Sequence, residues 1–423
     1  MPHRRARPTS SLFRRTLSTA VALVAVLIGT GRAAATEARL IGLGGIGDYL
    51  EDDRNVKRWY GSLLDYPDLI VVDSGTFGID GYPRYRGLRL SGPAVGSHLR
   101  FDDAGRWGTL AVYAEGKGHP GNPGNLVSDT VQLSAVTLLY GRTVAGLQAG
   151  VVCRIFPSED SFTGAAGADF ISFREERNQL DLGLGARLDL GETAYLDVAG
   201  EIRRARLETE IERQGYGAYS SGTRTSWSNF GLRARAFLGL GERTALVPVA
   251  EYLHEDRPVP YDPLYLVTDL NGYLLRLGCG LDFLPDIDSL VFLSVDLQTS
   301  EIDYSHQVIW VQDTPLLQQR RWHAVSARVG LEKRFQSWLT LRAATGYVWC
   351  RDEVDEWGGP AGTETTRRIP LSLGLAGHLY ALDLELAVTN QQPLQSPVDL
   401  PAEFYVVPGN PTWLAFSAAF AFD

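Results

Sequence analysis

Residues able to carry out catalysis or bind a metal are few in this chain and widely spaced. The seven histidines include His3 and show no H-E-x-x-H or other metal-binding spacing, and the three cysteines show no C-x-x-C spacing. The nearest approach to a hydrolytic pair is His323 with Ser326, but residues three apart on a strand point to opposite faces. The sequence therefore predicts no enzyme, no cofactor and no metal site.

Two further motifs resemble ligand-binding sites but are better explained without a bound ligand. Residues 42–47 satisfy G-x-G-x-x-G, which in a nucleotide-binding unit follows a strand and opens a helix. Only three strand-compatible residues (39–41) precede these glycines and no α/β alternation follows, so we do not expect a dinucleotide site. The acidic run at residues 352–356 has ligands suited to calcium or to a divalent bridge to lipopolysaccharide, but a solvated loop is the simpler interpretation.

Residues 1–35 have the organisation of a secretory signal peptide. Five arginines without an acid precede an apolar stretch at 17–28, and small residues at 33–35 provide a cleavage site. The stretch is shorter than the ~20 residues of a spanning helix. Loss of the six arginines of this segment changes the formal net charge from −10 to −16, which disfavours nucleic acid as a partner.

The remaining chain shows long alternation of apolar and polar residues. Between Gln179 and Leu190 every even-numbered position except Ala186 is leucine, while the odd-numbered positions are polar, charged or glycine. The same period of two recurs at residues 272–283 and 339–349. One face suits lipid and the other water, and ten or more such residues are enough for a tilted strand to cross a bilayer.

The connections between these segments alternate between short and long. Tight turns are predicted near residues 102–105, 141–142, 191–192, 241–242, 285–286, 335–336 and 378–379. Long polar or proline-rich loops are predicted near 117–128, 157–175, 209–223, 257–269, 304–318, 351–364 and 391–410. Short turns at one rim and long loops at the other are typical of bacterial outer-membrane barrels.

Residues 68–423 are therefore predicted to form an all-β fold, a transmembrane antiparallel up-and-down β-barrel of 14–16 strands, with sixteen favoured. Dropping the two weak first segments would leave fourteen. The predicted strands lie near 68–75, 94–102, 105–116, 129–140, 143–155, 176–190, 193–208, 224–239, 243–255, 270–284, 288–303, 319–334, 337–350, 366–378, 380–390 and 412–422. The last resembles the C-terminal signal read by the barrel assembly machinery, although Asp423 follows the terminal aromatic residue.

Residues 36–67 precede the predicted barrel and have a different pattern. They combine the glycine cluster at 42–47, the acidic and asparagine-containing run at 49–55, and Tyr66-Pro67. This segment resembles the N-terminal hatch of FadL/PorV-type outer-membrane proteins, with Tyr60-Gly61-Ser62 where many members have Asn-Pro-Ala. The resemblance implies a plug of short helices inside the periplasmic half of the barrel. A periplasmic leader with one short helix is the alternative.

The inward face of the predicted barrel mixes both signs of charge. The candidate pathway residues are Arg154, Asp181, Arg187, Arg233, Arg235, Arg276, Asp282, Arg342, Asp383 and Glu385. Mixed signs argue against a strongly ion-selective pore. The same residues are equally consistent with ion-pair ladders between neighbouring strands, which would stabilise the lumen without conducting.

Three functions are in competition, of which a surface enzyme acting on lipid or peptide substrates is disfavoured by the absence of a catalytic constellation. The strand number, the polar lumen and the hatch resemblance favour an outer-membrane channel or transporter for small or hydrophobic solutes. The balanced charges and long loops favour the alternative of a non-conducting outer-membrane scaffold for secretion or surface attachment, as in PorV-type proteins. In both cases the predicted location is the cell outer membrane, reached through the signal peptide. The predicted partners are outer-membrane lipid or lipopolysaccharide and the barrel assembly machinery.

Overall fold

The fold is known from a computed structural model that describes a defined part of the chain. The described residues are 37–45, 47–51, 53–78, 89–91, 94–102, 106–116, 134–166, 169–214, 219–259, 265–308, 316–355, 362–390 and 413–422. The predicted signal peptide lies outside them. Within them, no helix combines the length and the apolar character needed to cross a membrane.

The strands form one closed antiparallel barrel with sixteen strand positions, as the sequence predicts. They are β1 (Leu69–Gly78), β2 (Arg89–Ser91 and Ala94–Arg100), β3 (Thr109–Gly116), β4 (Ser134–Val144), β5 (Leu147–Ala166), β6 (Asp169–Gly191), β7 (Ala194–Gln214), β8 (Tyr219–Gly241), β9 (Thr244–Val259), β10 (Tyr265–Asp286), β11 (Ser289–Val308), β12 (Leu316–Gln336), β13 (Leu339–Asp355), β14 (Gly362–Arg368 and Leu371–Leu379), β15 (Leu382–Thr389) and β16 (Trp413–Ala421). Leu69 of β1 pairs with Ala421 of β16, which closes the sheet. Closure removes the free edges that a membrane cannot accommodate.

Two strand positions are each occupied by two separate pieces of strand. In β14 the break falls at Ile369-Pro370, and Pro370 cannot donate a backbone hydrogen bond to the neighbouring strand. Both pieces nevertheless pair with β13, the first with residues 348–354 and the second with 339–345. The two pieces therefore occupy one place in the barrel, and the same holds for the two pieces of β2 against β1.

The two faces of the wall differ sharply in polarity. On β11, the outward residues Leu293, Val295 and Leu297 are each about half exposed, while Asp296 between them is 2% exposed and faces the lumen. When many large apolar side chains remain exposed on a folded chain, they mark a surface that contacts another protein or a membrane. Here they form the lipid-facing band of a membrane barrel.

Four of the predicted turns are displaced along the chain. Those expected at 285–286, 335–336 and 378–379 lie at the ends of strands, and the chain reverses at the next two residues in each case. The turn expected at residues 141–142 is strand, because β4 continues to Val144 and the chain reverses at Ala145 and Gly146, both at positive φ (52° and 84°). Such a pair forms the tight turn of a two-residue hairpin. Gly141 has another role: a Cβ on it would lie 3.2 Å from Leu63 of the N-terminal segment inside the barrel.

Several predicted long loops are also partly strand. The loop expected at 157–175 is mostly paired, since β5 ends at Ala166 and β6 begins at Asp169, and β7 and β8 likewise extend into the loop expected at 209–223. Apolar alternation stops where the lipid stops, but backbone pairing between strands does not need lipid. The sequence pattern therefore marked the membrane-embedded part of each strand and missed its extension.

A charge on the lipid-facing band tests the orientation of the wall. We expect Val295→Arg to destabilise the barrel by about 2–4 kcal/mol in bilayer-based urea unfolding, because an arginine at the bilayer midplane has no aqueous partner. Ile287→Arg is the matched control, since Ile287 is 98% exposed at a short turn and the expected cost there is about 0–1 kcal/mol. Equal costs at both positions would contradict the assignment.

Candidate functional site

The segment of residues 37–66 is called the hatch below, and its described residues, 37–45, 47–51 and 53–66, lie inside the barrel. They contain α1 (Glu37–Gly42) and three short 3-10 helices, Gly47–Tyr49, Asp53–Lys57 and Tyr60–Asp65. Helix α1 contacts β13 to β16, the first 3-10 helix contacts β9 and β10, and the last contacts β3 to β7. A segment that touches inward residues all around a closed wall must occupy its lumen. These contacts lie toward the short-turn rim, the half of the barrel that the FadL/PorV resemblance implies.

Tyr49 anchors the hatch in a glycine-lined hollow of the wall. Its side chain is fully buried against Gly278 and Gly280 of β10, where a Cβ on Gly280 would lie 2.6 Å from the ring. The Tyr49 hydroxyl donates a hydrogen bond to Asp296 Oδ1 at 2.5 Å. Glycine is needed at these wall positions because a larger residue would occupy the space of the ring.

Tyr60 makes a second anchor of the same kind four strands away, on β6. A Cβ on Gly183 of β6 would lie 2.6 Å from its ring, and one on Gly185 would lie 3.1 Å from Tyr60 Cβ. The hydroxyl donates to Glu201 Oε2 at 2.7 Å. Burial, aided by the charge of Glu201, raises the pKa of Tyr60 to about 12, so the phenol stays protonated and remains a donor.

The carboxylate of Asp48 is the centre of the ion pairs between hatch and wall. It is 4% exposed and lies 2.5 Å from Arg276 of β10 and 3.1 Å from Arg58 of the hatch. Trp59 Nε1 donates to its Oδ1 at 3.2 Å. Burial by itself would raise the pKa of Asp48, but three guanidinium groups, led by that of Arg58, outweigh it and hold this pKa well below its usual range. Asp48 is therefore a buried anion matched by cations.

The cations around Asp48 are in turn held by carboxylates of the wall. Glu251 of β9 accepts two hydrogen bonds from Arg58, both at 3.0 Å, and lies 3.7 Å from Arg233. Arg276 also bonds Asp296 at 2.8 Å. Each buried charge thus has an opposite partner, which is the condition for keeping charges out of water.

A second cluster is built on Asp197 of β7. It accepts hydrogen bonds from Arg187 at 2.7 Å and from Arg235 at 2.9 Å, and all three side chains are buried. Arg235 also donates to the backbone carbonyls of Asp48 and Leu50, at 3.2 and 3.1 Å. Its guanidinium lies 4.7 Å from the centre of the Trp59 ring. Arg235 therefore binds both the backbone of the hatch and the side chain of Trp59.

A third cluster holds the start of the hatch. Glu332 of β12 pairs with Arg39 of α1 at 3.0 Å and with Arg342 of β13 at 2.5 Å, and Arg342 also pairs with Glu385 at 2.9 Å. Arg328 donates to the carbonyl of Gly44 at 2.9 Å. Together the three clusters hold the beginning and middle of the hatch, and Arg187 of the second cluster also pairs with Asp65 at its end.

The other candidate pathway residues also face the lumen. Arg154 donates to the Lys57 carbonyl at 2.6 Å, and Asp181 lies 4.0 Å from Arg154 and 3.4 Å from Arg203. All ten lie on the inward face of their strands, and all except Asp282 take part in ion pairs or hydrogen bonds. Their role in conduction stays a prediction.

Two remaining candidates lie near the short-turn rim. Asp383 accepts a hydrogen bond from His378 at 2.6 Å, and the far ring nitrogen of His378 lies 2.9 Å from the Thr340 hydroxyl. Asp282 has one buried oxygen without a hydrogen-bond partner within the described part of the chain. Over the same residues no three metal-binding side chains come together. His323 and Ser326 lie on opposite faces of β12, one exposed and one buried.

Sequence reasoning missed Glu251 and Asp48. Glu251 lies on β9 between the apolar inward residues Val249 and Leu253, and only Glu255 beyond them is also charged. The inward face of β9 is therefore too apolar for the alternation to mark it as the lumen. Asp48 lies in a segment without a period of two. Asp48 directly precedes the hatch run at residues 49–55, and only the resemblance of that run to other hatches pointed to this region.

Comparison with solved structures gives barrels of the same general type at low identity. A Pseudomonas aeruginosa FadL homologue is 11% identical over 93% of this chain and 100% of its own, with a TM-score of 0.45. The Pseudomonas putida toluene transporter TodX is 12% identical over 92% and 98%, TM-score 0.42. The Ralstonia pickettii toluene transporter TbuX is 11% identical over 91% and 97%, TM-score 0.44. No protein-family model and no curated protein sequence matches the chain.

Removing the charge of Asp48 should loosen the hatch. Asp48→Asn leaves Arg58 and Arg276 buried with one carboxylate fewer, a type of change that costs about 3–5 kcal/mol. We expect faster protease cleavage within the hatch of the membrane-embedded protein. Glu51→Gln is the control, because Glu51 pairs with Arg187 but is half exposed, and such pairs contribute about 0–1 kcal/mol. Unchanged cleavage of Asp48→Asn would contradict the role assigned to Asp48.

Filling the hollow under Tyr49 should release the same segment without altering any charge. Gly280→Val places atoms where the Tyr49 ring lies, so the hatch cannot seat in its present position. We expect the barrel to form, with normal heat-modifiable gel mobility, and the hatch to become protease-sensitive. The control is Gly377→Val on β14, where a Cβ would meet nothing closer than 4.0 Å. A protected hatch in Gly280→Val would show that Tyr49 is not an anchor.

Proposed function

We propose that this chain is an outer-membrane channel for small hydrophobic solutes, closed in its periplasmic half by the hatch. The observation that carries the proposal is the division of the lumen into a charged half that binds the hatch and an apolar patch beyond it. A barrel of sixteen strands is wide enough for an aqueous path, so the hatch decides whether the path is open.

The apolar patch lies on the inward face, next to the ion-paired level. Leu253 follows Glu251 by one inward position on β9, and Leu274 precedes Arg276 by one inward position on β10. The two leucines pair across the strands, both are under 10% exposed, and Trp322 of β12 packs against them. Trp227 and Ala205 form a second small apolar cluster on β8 and β7. Apolar side chains directed into a polar lumen fit a solute that prefers them to water.

The charged level below this patch supports gating. A solute that reaches Leu253 and Leu274 faces Arg58, Glu251 and Arg276, which are engaged with one another. Passage toward the periplasm requires the hatch to move or the solute to leave sideways through the wall. Because the hatch is bound by many separable ion pairs, it can in principle rearrange without unfolding the barrel.

The same ion pairs favour a second candidate function. If the three clusters never separate, the lumen stays shut and the barrel acts as a non-conducting scaffold for secretion or surface attachment. Its partner would then bind the long-loop rim or the periplasmic rim and would co-purify with the intact barrel.

Conductance separates the two functions. We expect the refolded mature chain to be closed in a planar bilayer and deletion of residues 36–67 to open a steady pore, because the hatch fills the lumen. In proteoliposomes the intact chain should pass a small apolar aromatic probe and exclude a sugar of similar size. The deletion variant should pass both.

Steady conductance of the intact chain would contradict closure by the hatch. A closed intact chain that excludes the apolar probe would favour the scaffold.

A further inference from the structure

The outward face of the barrel carries a groove that the transport proposal does not use. It spans β6 to β10 and has a volume of about 590 Å³. Its floor consists of small outward residues on four strands, namely Ala186, Gly200, Ala234 and Ala250. The strand registers place these residues next to one another: Ala186 and Ala234 both pair with Val198, and Ala234 also pairs with Ala250.

Large apolar side chains form the sides of this groove. Leu184 and Leu232 both pair with Gly200 and are 69% and 58% exposed, so they stand out from the wall where Gly200 recedes. Tyr252 and Leu275 close the groove on the β9 and β10 side. The volume is within the ~300–1,000 Å³ of ordinary ligand pockets. Because the groove opens toward lipid, the occupant must be apolar along its length.

A cation lies at one end of the groove. On β7 the outward positions after Gly200 are Ile202 and Arg204, which places Arg204 about 13 Å along the strand. Arg204 lies beyond Ile202, the last apolar outward residue of β7, and is level with Leu180 of β6. Arg204 is exposed, and within the described residues no hydrogen bond or ion pair engages it. The next outward arginine differs, since Arg206 is paired with Glu208. Arg204 is thus a free positive charge at the outer edge of the apolar band.

Aromatic rings mark the same edge. Phe230 lies 5.7 Å from Tyr252 and 5.3 Å from His254, centre to centre, and Tyr252 lies 6.4 Å from Tyr273. Such rings collect at the level of lipid headgroups. This edge lies toward the long-loop rim, which in outer-membrane barrels faces the outside. The headgroup beside Arg204 therefore belongs to the outer leaflet.

We propose that this groove binds one phosphorylated, multi-acylated glycolipid of the outer leaflet, the lipid A portion of lipopolysaccharide. One acyl chain lies over Gly200 and Ala234, and a phosphate binds the guanidinium of Arg204. Charge decides between this occupant and others: Arg204 is complementary to a phosphate, and a purely apolar partner would leave it unmatched. The proposal is independent of the transport function.

The test is native mass spectrometry of the purified full mature chain in detergent, after addition of defined bisphosphorylated lipid A. We expect one lipid A to remain bound to the unmodified protein. Ala250→Phe fills the groove and Arg204→Gln removes the charge, so each should lower retention about tenfold or more. The controls are Ala343→Phe and Arg367→Gln, which alter an outward alanine of β13 and an exposed arginine at the same edge on β14, away from the groove.

Three results would overturn the proposal. The first is equal retention by Ala250→Phe and by the unmodified protein, with both shown to be folded by heat-modifiable gel mobility. The second is that dephosphorylated lipid A or phosphatidylglycerol is retained as well as bisphosphorylated lipid A. That result would show that the groove does not recognise the phosphate of lipid A. The third is a dimer that disappears in Ala250→Phe, which would identify a second copy of the chain as the occupant.

Discussion

A charge buried away from water must be matched by an opposite charge, and the interior of this barrel is organised by that constraint. Asp48 brings an anion into the lumen, where Arg276 of the wall and Arg58 of the hatch meet it. Glu251 then matches Arg58, and Asp296 matches Arg276. Removing one of these charged side chains leaves its partner buried without an opposite charge, which is strongly destabilising. The hatch and the wall are therefore specified together.

Shape supports this electrostatic match. Tyr49 and Tyr60 lie where the wall has glycine, on β10 and β6 respectively, and each hydroxyl ends on a wall carboxylate. A β-strand gains nothing locally from glycine, which weakens it. The high glycine content of this chain is thus partly explained by the aromatic residues that the wall accommodates. The same glycines leave room for the helices of the hatch in a lumen that already contains many charged side chains.

The barrel could be predicted from the sequence because the alternation of apolar and polar residues repeats in most of the membrane-embedded strands. The period of two is visible on β6 and β10 without knowledge of any partner. Glu251 was missed because its inward neighbours are apolar, and Gly141 was mistaken for a turn residue although it makes room for Leu63. Both errors concern positions that are set by the hatch. A contact between segments that are far apart in the sequence produces no periodic pattern of residues in either segment.

The most direct test of the account is hydrogen exchange of the hatch backbone in protein embedded in lipid nanodiscs. If buried ion pairs hold residues 47–66 in the lumen, their amides should exchange slowly and open together, and Asp48→Asn should speed the exchange of the whole segment. Exchange at the rate of an exposed loop in the unmodified protein would contradict the account, because it would show that the hatch is not held by the wall.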